Sequence, residues 1–280
     1  MKKTKPDFKF EKKWWKKGYW VIGVDEVGRG ALAGPLHVGA VCFPAAQLRK
    51  VNLFGCELAS RRTSGSVSPR SPSESEGSLR RSLARTSTSL TNLLSPENKK
   101  QIEKIGIDDS KRLSAKKRET LAKLIREQAL AYSIGQISNR EINRAGIVKA
   151  TQKAMRKTIM RVMSKISNEV IKESENSSYL FSKLPIYHVL IDGFYLKYLN
   201  GIGLKNQTRI IKGDRKSISI AAASIIAKVE RDQTMIKLHQ KYPIYNFKRN
   251  KGYGTRQHIH AIKMHGKSGL HRDLYLRKII

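Results

Sequence analysis

The sequence predicts an α/β domain built on a central sheet, and three observations point there. Short apolar runs rich in β-branched residues, bounded by Gly or Pro, alternate with longer segments of helical period. Three of those runs lead into an aspartate. No apolar stretch approaches the roughly 20 residues needed to cross a bilayer. With 280 residues, 39% of them hydrophobic, the chain can bury one large core or two small ones.

Taken in order, residues 1–18 are lysine-rich and are expected to form a flexible basic arm, Trp14 and Trp15 included. They lack the apolar core and cleavage site of a signal peptide, so the protein is expected to be cytoplasmic. YWVIGV (19–24) and LHVGAVCF (36–43) read as strands joined by the Gly-rich DEVGRGALAGP. From about 58 to 98 the composition turns to Ser, Arg and Pro without apolar periodicity. Such a segment cannot bury enough surface to offset its ordering entropy, and a disordered insertion is expected there. Helical period returns after IGIDDSKRL: Ser114 stands at an N-cap position, and Leu121, Leu124 and Ile125 share a face. ALAYSIGQIS (129–138) reads as a strand, and 147–165 as a helix striped by Ile147, Ala150, Ala154, Ile159 and Val162. IYHVLIDGF (186–194) and TRIIKGD (208–214) are two further strands. In the long helix that follows, the run Ala221–Ala223 is small enough to lie close against a sheet.

Fifty-six Lys and Arg face 22 Asp and Glu, a formal net charge of +34, which calls for a polyanionic partner. Nucleic acid comes first, since neutralised phosphates supply the sequence-independent part of such binding. An anionic membrane surface or a ribosomal environment would also suit, and composition does not separate binding from cutting. With two cysteines, Cys42 and Cys56, neither a disulfide framework nor a cysteine metal site is expected.

Asp25, Glu26, Asp192 and Asp214 follow predicted strands at VIGVDE, VLIDG and IIKGD. Strand ends in an α/β sheet gather at one edge, where ligand sites form. Converging carboxylates repel unless a cation holds them, and hard divalent ions take oxygen ligands. Two such ions about 4 Å apart can activate water and stabilise a leaving oxygen at a phosphodiester. An aspartate after a strand is also an ordinary turn residue or helix cap, and on the residues alone both readings stand.

The motifs themselves go further. GVDEVGRGALAGPL resembles the signature that opens the ribonuclease HII family. The likeness continues in order through DDSKRLSAKKRETL, REINRAGIVKATQKAM, VLIDG, IIKGDRKSISIAAASIIAKVERD, YPIYNFKRNKGYGT and HR at 271–272. The resemblance implies a ribonuclease H-like fold: a mixed central β-sheet flanked by helices, with a small helical C-terminal region. On that basis the catalytic domain spans 19–275, interrupted by 58–98, and 276–280 is a tail. It implies a metal-dependent endoribonuclease that cleaves RNA paired with DNA and nicks 5′ of ribonucleotides embedded in duplex DNA, leaving 3′-OH and 5′-phosphate. Asp25, Glu26, Asp192 and Asp214 fall on the family's catalytic acids and would hold two Mn²⁺ or Mg²⁺ ions. Gly28, Arg29 and Gly30 match its GRG turn, where glycine lets backbone approach a sugar, and only RNA offers a 2′-OH. Tyr253 matches a tyrosine that packs on the neighbouring sugar; a half-buried loop aromatic is the plain alternative. Lys111, beside Asp108 and Asp109, suits a phosphate contact.

Asp232 competes for the fourth acidic place but lies inside the long helix, where a structural role is expected. His258 and His260, two apart on a helix, face different ways and make no zinc pair; His258 is expected to hydrogen-bond near the YGT loop. Gly146 stands where the family has Asn, and the family crosses the 58–98 gap with a short loop. A sister family, ribonuclease HIII, carries an extra N-terminal domain and lacks the arginine matched by Arg29. A monomer acting on RNA–DNA hybrid and ribonucleotide-containing DNA, away from membranes, is the resulting expectation. A basic nucleic-acid binder without catalysis is the alternative from another class.

Overall fold

The computed structural model describes residues 5–44, 106–174, 185–277 and 279. The expected insertion at 58–98 and Cys56 lie outside them.

The basic arm is not a tail. Residues Lys9–Trp15 form helix α1, because Phe8, Glu11 and Trp15 make a helical stripe among the lysines. Phe8 and Trp15 are buried against each other, with ring centroids 5.1 Å apart, and Trp14 stacks on His188 at 3.5 Å. Lysine count alone suggests solvated chain, but three side chains on one face are enough to dock it.

Strand β1 covers Trp20–Val27 and β2 covers Leu36–Cys42, paired antiparallel with Asp25 opposite Gly39 and Glu26 opposite Val38. β1 therefore runs on through both acids, where the sequence suggested that it ends before them; β2 supplies the partners that keep them in the ladder. Helix α2, Ala115–Gln128, begins where the Ser114 hydroxyl accepts the Lys117 N–H, as the cap position predicted. β3 (Ala131–Ile137) pairs with β2. Helix α3, Asn139–Ala145, ends at Gly146, whose φ of +78° suits glycine far better than asparagine's bulkier side chain. Helix α4, Ile147–Ser174, follows.

β4 (Tyr187–Asp192) lies parallel to β1, and β5 (Gln207–Ile210) lies parallel to β4. The sheet order β3-β2-β1-β4-β5 is mixed, as the α/β reading requires. Asp214 does not end a strand: it sits in a 3-10 turn, Gly213–Arg215, beyond β5. Helix α5, Ile218–Lys241, then crosses the sheet. Its approach is close enough that a Cβ on Gly23 would stand 2.2 Å from the Ser219 carbonyl carbon, and one on Gly39 would stand 2.1 Å from the Ala223 oxygen. The alanine run does what its size suggested. On the other face, a Cβ on Gly135 would meet Thr158 of α4 at 2.1 Å.

Short helices α6 (Phe247–Asn250), α7 (Arg256–His265) and α8 (Asp273–Leu276) close the C-terminal region. They build a second apolar cluster from Leu32, Ala33, Met235, Tyr245, Phe247, Ile262 and Leu276. Leu276, expected in a tail, is part of that core. No helix among the described residues is long and apolar enough to cross a membrane.

Gly39→Ala should cost about 3 kcal/mol through forced backbone separation and lower Tm by several degrees, at about 2–4 °C per kcal/mol. Gly30→Ala, with nothing within 4 Å of the added Cβ, should leave Tm unchanged. Thermal unfolding of both variants checks the pair; equal melting temperatures would remove the close-approach argument.

Candidate active site

Asp25, Glu26, Asp192 and Asp214 lie near enough to act on one another electrostatically, where β1, β4 and the turn after β5 come together. The register sets Val24 beside Ile191, so Asp25 and Asp192 follow at the same level on neighbouring strands. The pleat turns Asp25, like Gly23, toward α5 and sends Glu26 toward the opposite face. Asp192 Oδ1 accepts the Gly213 N–H at 2.9 Å, which ties the strand end to the turn that carries Asp214. Asp25 is only 6% exposed, and its Oδ1 accepts the Glu26 N–H at 2.8 Å.

Burial pushes the Asp25 carboxyl well above the usual carboxylate range; the Glu26 charge raises it further, a hydrogen bond from Ser224 opposes, and Asp192 and Asp214 add to the rise. Burial also raises Glu26, against the pull of Arg29, and Asp192 raises it again. Asp214 is raised by burial and then by Asp109, with Lys111 opposing. Arg29 reaches Glu26 Oε1 at 3.3 Å, and Glu26 Oε2 is buried without a hydrogen-bond partner among the described residues. Lys111 Nζ stands 3.8 Å from Asp214 Oδ2.

The donor set therefore suits a hard divalent cation: all carboxylate oxygens, one of them orphaned, raising one another's proton affinity in a strongly basic chain. Among the described residues no three acidic, histidine or cysteine side chains are gathered into a ready-made cage. What is preformed is the chemistry and the field, not the coordination distances.

The acids set aside by sequence reasoning have other partners. Asp232 pairs with Arg118 at 3.5 Å and with Lys228. Asp109 is buried, accepting Arg215 Nε at 3.0 Å and the Lys111 N–H at 3.0 Å, which holds the Lys111 loop against the Asp214 turn. Ser110 and Ser224 hydroxyls meet at 3.1 Å beneath Asp25.

The turn Gly28–Gly30 lies beside this cluster, with Gly28 at φ +91°. A Cβ on Gly28 would collide with Arg231 Nε at 2.1 Å, while one on Gly30 would meet nothing. The two glycines thus serve different needs: one admits an arginine from below, the other leaves the outer surface open. Tyr253 is partly exposed, its ring 5.1 Å from the Arg231 guanidinium. His258 bonds where expected. The Ser268 N–H donates to His271 Nδ1 at 2.9 Å, so His271 Nε2–H donates to His258 Nε2 at 3.2 Å, and His258 Nδ1–H donates to the Tyr253 carbonyl at 2.9 Å. Burial, then the His258 ring, pushes His271 down to about 4, which keeps this chain of neutral rings intact. His260 is exposed and apart.

Sequence reasoning gave no role to Ser224, Arg231, Arg272 or Tyr275. Nothing in their local sequence marks them, and only the folded backbone brings Arg231, Arg272 and Tyr275 to the Gly28–Gly30 turn and Ser224 to Asp25.

Comparison with known proteins adds the following. The family model for ribonuclease HII matches residues 90–277, a span that leaves Asp25 and Glu26 outside it. A ribonuclease HII of Caldanaerobacter subterraneus subsp. tengcongensis is 35% identical over 97% of this chain and 80% of its own length, a span that takes in nearly all of the chain. Among solved structures, ribonuclease H2 from Pyrococcus horikoshii OT3 aligns with a TM-score of 0.50 at 19% identity, covering 92% of this chain and 96% of that one. A Bst ribonuclease HIII in complex with Mn²⁺ aligns with a TM-score of 0.52 at 17% identity, covering 92% of this chain and 65% of that one. These last two establish the fold.

Asp25→Asn keeps the Oδ1 acceptor and removes the charge. The folded-state pKa of Asp25 lies above its unfolded value, so the ionised cluster opposes folding above that pKa, and the opposition fades as pH falls through it. In metal-free buffer at about pH 8, Asp25→Asn should melt higher than the parent, by about 3 °C for each kcal/mol relieved. The gap should narrow as pH falls toward the ordinary carboxylate range. Calorimetry across pH checks the sign; a parent that melts higher at alkaline pH would contradict it.

Proposed function

Because the chain belongs to the ribonuclease HII family and is accordingly an endoribonuclease, we propose that it cleaves the RNA strand of RNA–DNA hybrids and nicks 5′ of ribonucleotides embedded in duplex DNA. The products are a 3′-OH and a 5′-phosphate. The observation that carries the site is Asp25: a buried carboxylate among three other carboxylates, with no lysine or arginine pairing it among the described residues.

Asp25, Glu26, Asp192 and Asp214 would hold two Mn²⁺ or Mg²⁺ ions, which when bound supply water activation and charge neutralisation at the phosphodiester. Lys111, exposed and close to Asp214, supplies a positive charge for a non-bridging phosphate oxygen. The open outer side of Gly30 lets backbone approach a ribose, and Arg29 and Tyr253 flank it. The wider basic surface holds the duplex by its phosphates whatever the sequence. The protein on this reading acts as a monomer in the cytoplasm.

An end-labelled DNA duplex with one ribonucleotide, incubated with Mg²⁺, Mn²⁺ or EDTA, tests the proposal. A single nick 5′ of the ribonucleotide, lost in EDTA, is expected. Asp25→Asn and Asp192→Asn should each reduce cleavage by about a hundredfold or more, while duplex binding, set by phosphate contacts, stays within about threefold. Cleavage of long hybrids alone would shift the specificity toward that of ribonuclease HIII. Binding without cleavage under any ion would leave a nucleic-acid binder.

A further inference from the structure

Arg231 in α5 and Arg272 just before α8 are both 0% exposed. Among the described residues neither pairs with an acid: Asp232, next to Arg231 in sequence, is taken up by Arg118 and Lys228. Both direct their donors at backbone carbonyls instead. Arg272 Nη1 donates to the Gly28 and Arg29 oxygens at 2.8 and 3.0 Å, and its Nε and Nη2 donate to the Gly34 oxygen at 3.1 and 2.9 Å. Arg231 Nε donates to the Pro35 oxygen at 3.2 Å and Nη2 to the Lys251 oxygen at 2.8 Å. Its Nη1 has no hydrogen-bond partner among the described residues, and the guanidinium lies under the Tyr253 ring. From the other side, the Tyr275 hydroxyl donates to the Arg29 oxygen at 2.8 Å.

Uncompensated buried charge is costly, so a fold that keeps two such groups side by side gains something by their geometry. A planar fork can hold several carbonyls at fixed angles; a lysine ammonium cannot. Peptide planarity then decides what faces out. In a trans peptide the C=O of one residue and the N–H of the next point in opposite directions. With the Gly28 and Arg29 carbonyls turned inward onto Arg272, the N–H groups of Arg29 and Gly30 turn outward, and among the described residues neither has a hydrogen-bond partner.

We infer that Arg231 and Arg272 are positioning residues: together they hold the outward amides of Arg29 and Gly30 and the ring of Tyr253 at one fixed spacing, and that spacing distinguishes a ribose from a deoxyribose at the cleavage position. The inference rests on the proposed function for its substrate. It differs from it in assigning the discrimination to two buried side chains that touch no substrate.

The test compares the parent with Arg272→Lys, Arg231→Lys and Tyr275→Phe, the last removing one hydroxyl bond to Arg29 from a residue near the surface. Two readouts are needed. The first is the pair of Arg29 and Gly30 amide resonances in the metal-free, substrate-free protein. The second is the ratio of affinities, in EDTA, for a duplex with one ribonucleotide and for the same duplex in DNA. Both arginine variants should move the two resonances and lower the ratio about tenfold, as small misplacements at a site do, while affinity for plain DNA stays put. Tyr275→Phe should do the same to about threefold, the scale of one neutral hydrogen bond, and it stands in if the arginine variants do not fold. A general loss of structure would lower both affinities together and leave the ratio alone.

Folded variants with unmoved resonances or an unchanged ratio overturn the inference and leave the proposed function in place. A parent that nicks nothing and shows no ribose preference overturns the proposed function and, with it, the specificity assigned to the arginines; the resonances still report whether the arginines set the turn.

Discussion

The close seating of α5 on β1 and β2 governs everything else in the molecule. Two strand glycines and an alanine run bring helix backbone and sheet backbone within the reach of a single missing methyl group. That seating covers Asp25 and strips it of water. It places Ser224 within hydrogen-bonding reach of the Asp25 carboxyl and carries Arg231, two turns further along, beneath the Gly28 turn. It also sets the start of the helix next to the turn that holds Asp214. A looser helix would leave the same residues in the same order and lose the site.

The protein handles buried charge in two opposite ways within a short distance. The acids raise one another's proton affinity; Arg29 reaches Glu26 and Lys111 stands near Asp214, while Asp25 has no lysine or arginine pairing it among the described residues. The arginines are solvated permanently by backbone oxygens. Burial, with Arg231 beside it, pushes Arg272 down to about 10, which still leaves it charged at neutral pH. One arrangement stays responsive to a ligand, and the other is rigid from the start. On the proposed function, rigid donors beside an acidic cluster would suit a site that reads one sugar beside the phosphodiester to be cut.

Much of this was legible in the sequence, and the parts that were not share a cause. Period and turn chemistry marked the five strands, the Ser114 cap and the close-packing alanines, because each is a local pattern. Of the four acids read as strand ends, Asp192 ends β4, whereas Asp25 and Glu26 lie within β1 and Asp214 in the turn beyond β5. Asp232 pairs with Arg118 and Lys228 and His258 bonds at the YGT loop, as expected. The N-terminal helix was hidden by its lysines, since a count of charges does not show that Phe8, Glu11 and Trp15 share a face. The extension of β1 through Asp25 and Glu26 depends on its partner β2. Arg231 and Arg272 were invisible as a pair because their meaning lies in which carbonyls they reach, and all but that of Lys251 belong to residues 196 or more positions away in the chain.

Glu11 of α1 accepts hydrogen bonds from the Ser217 hydroxyl and the Ser219 N–H at the start of α5. Together with the Arg272 contact to Gly28, it joins the first tenth of the chain to the last quarter. Such pairings have high contact order and close late, because the entropy of bringing distant segments together must be met before the contacts form. On the ribosome, the sheet's first hairpin emerges early and unfinished. The Gly28–Gly30 turn gains its Arg272 contacts only after the segment carrying Arg272 has been made, so that part of the structure closes last.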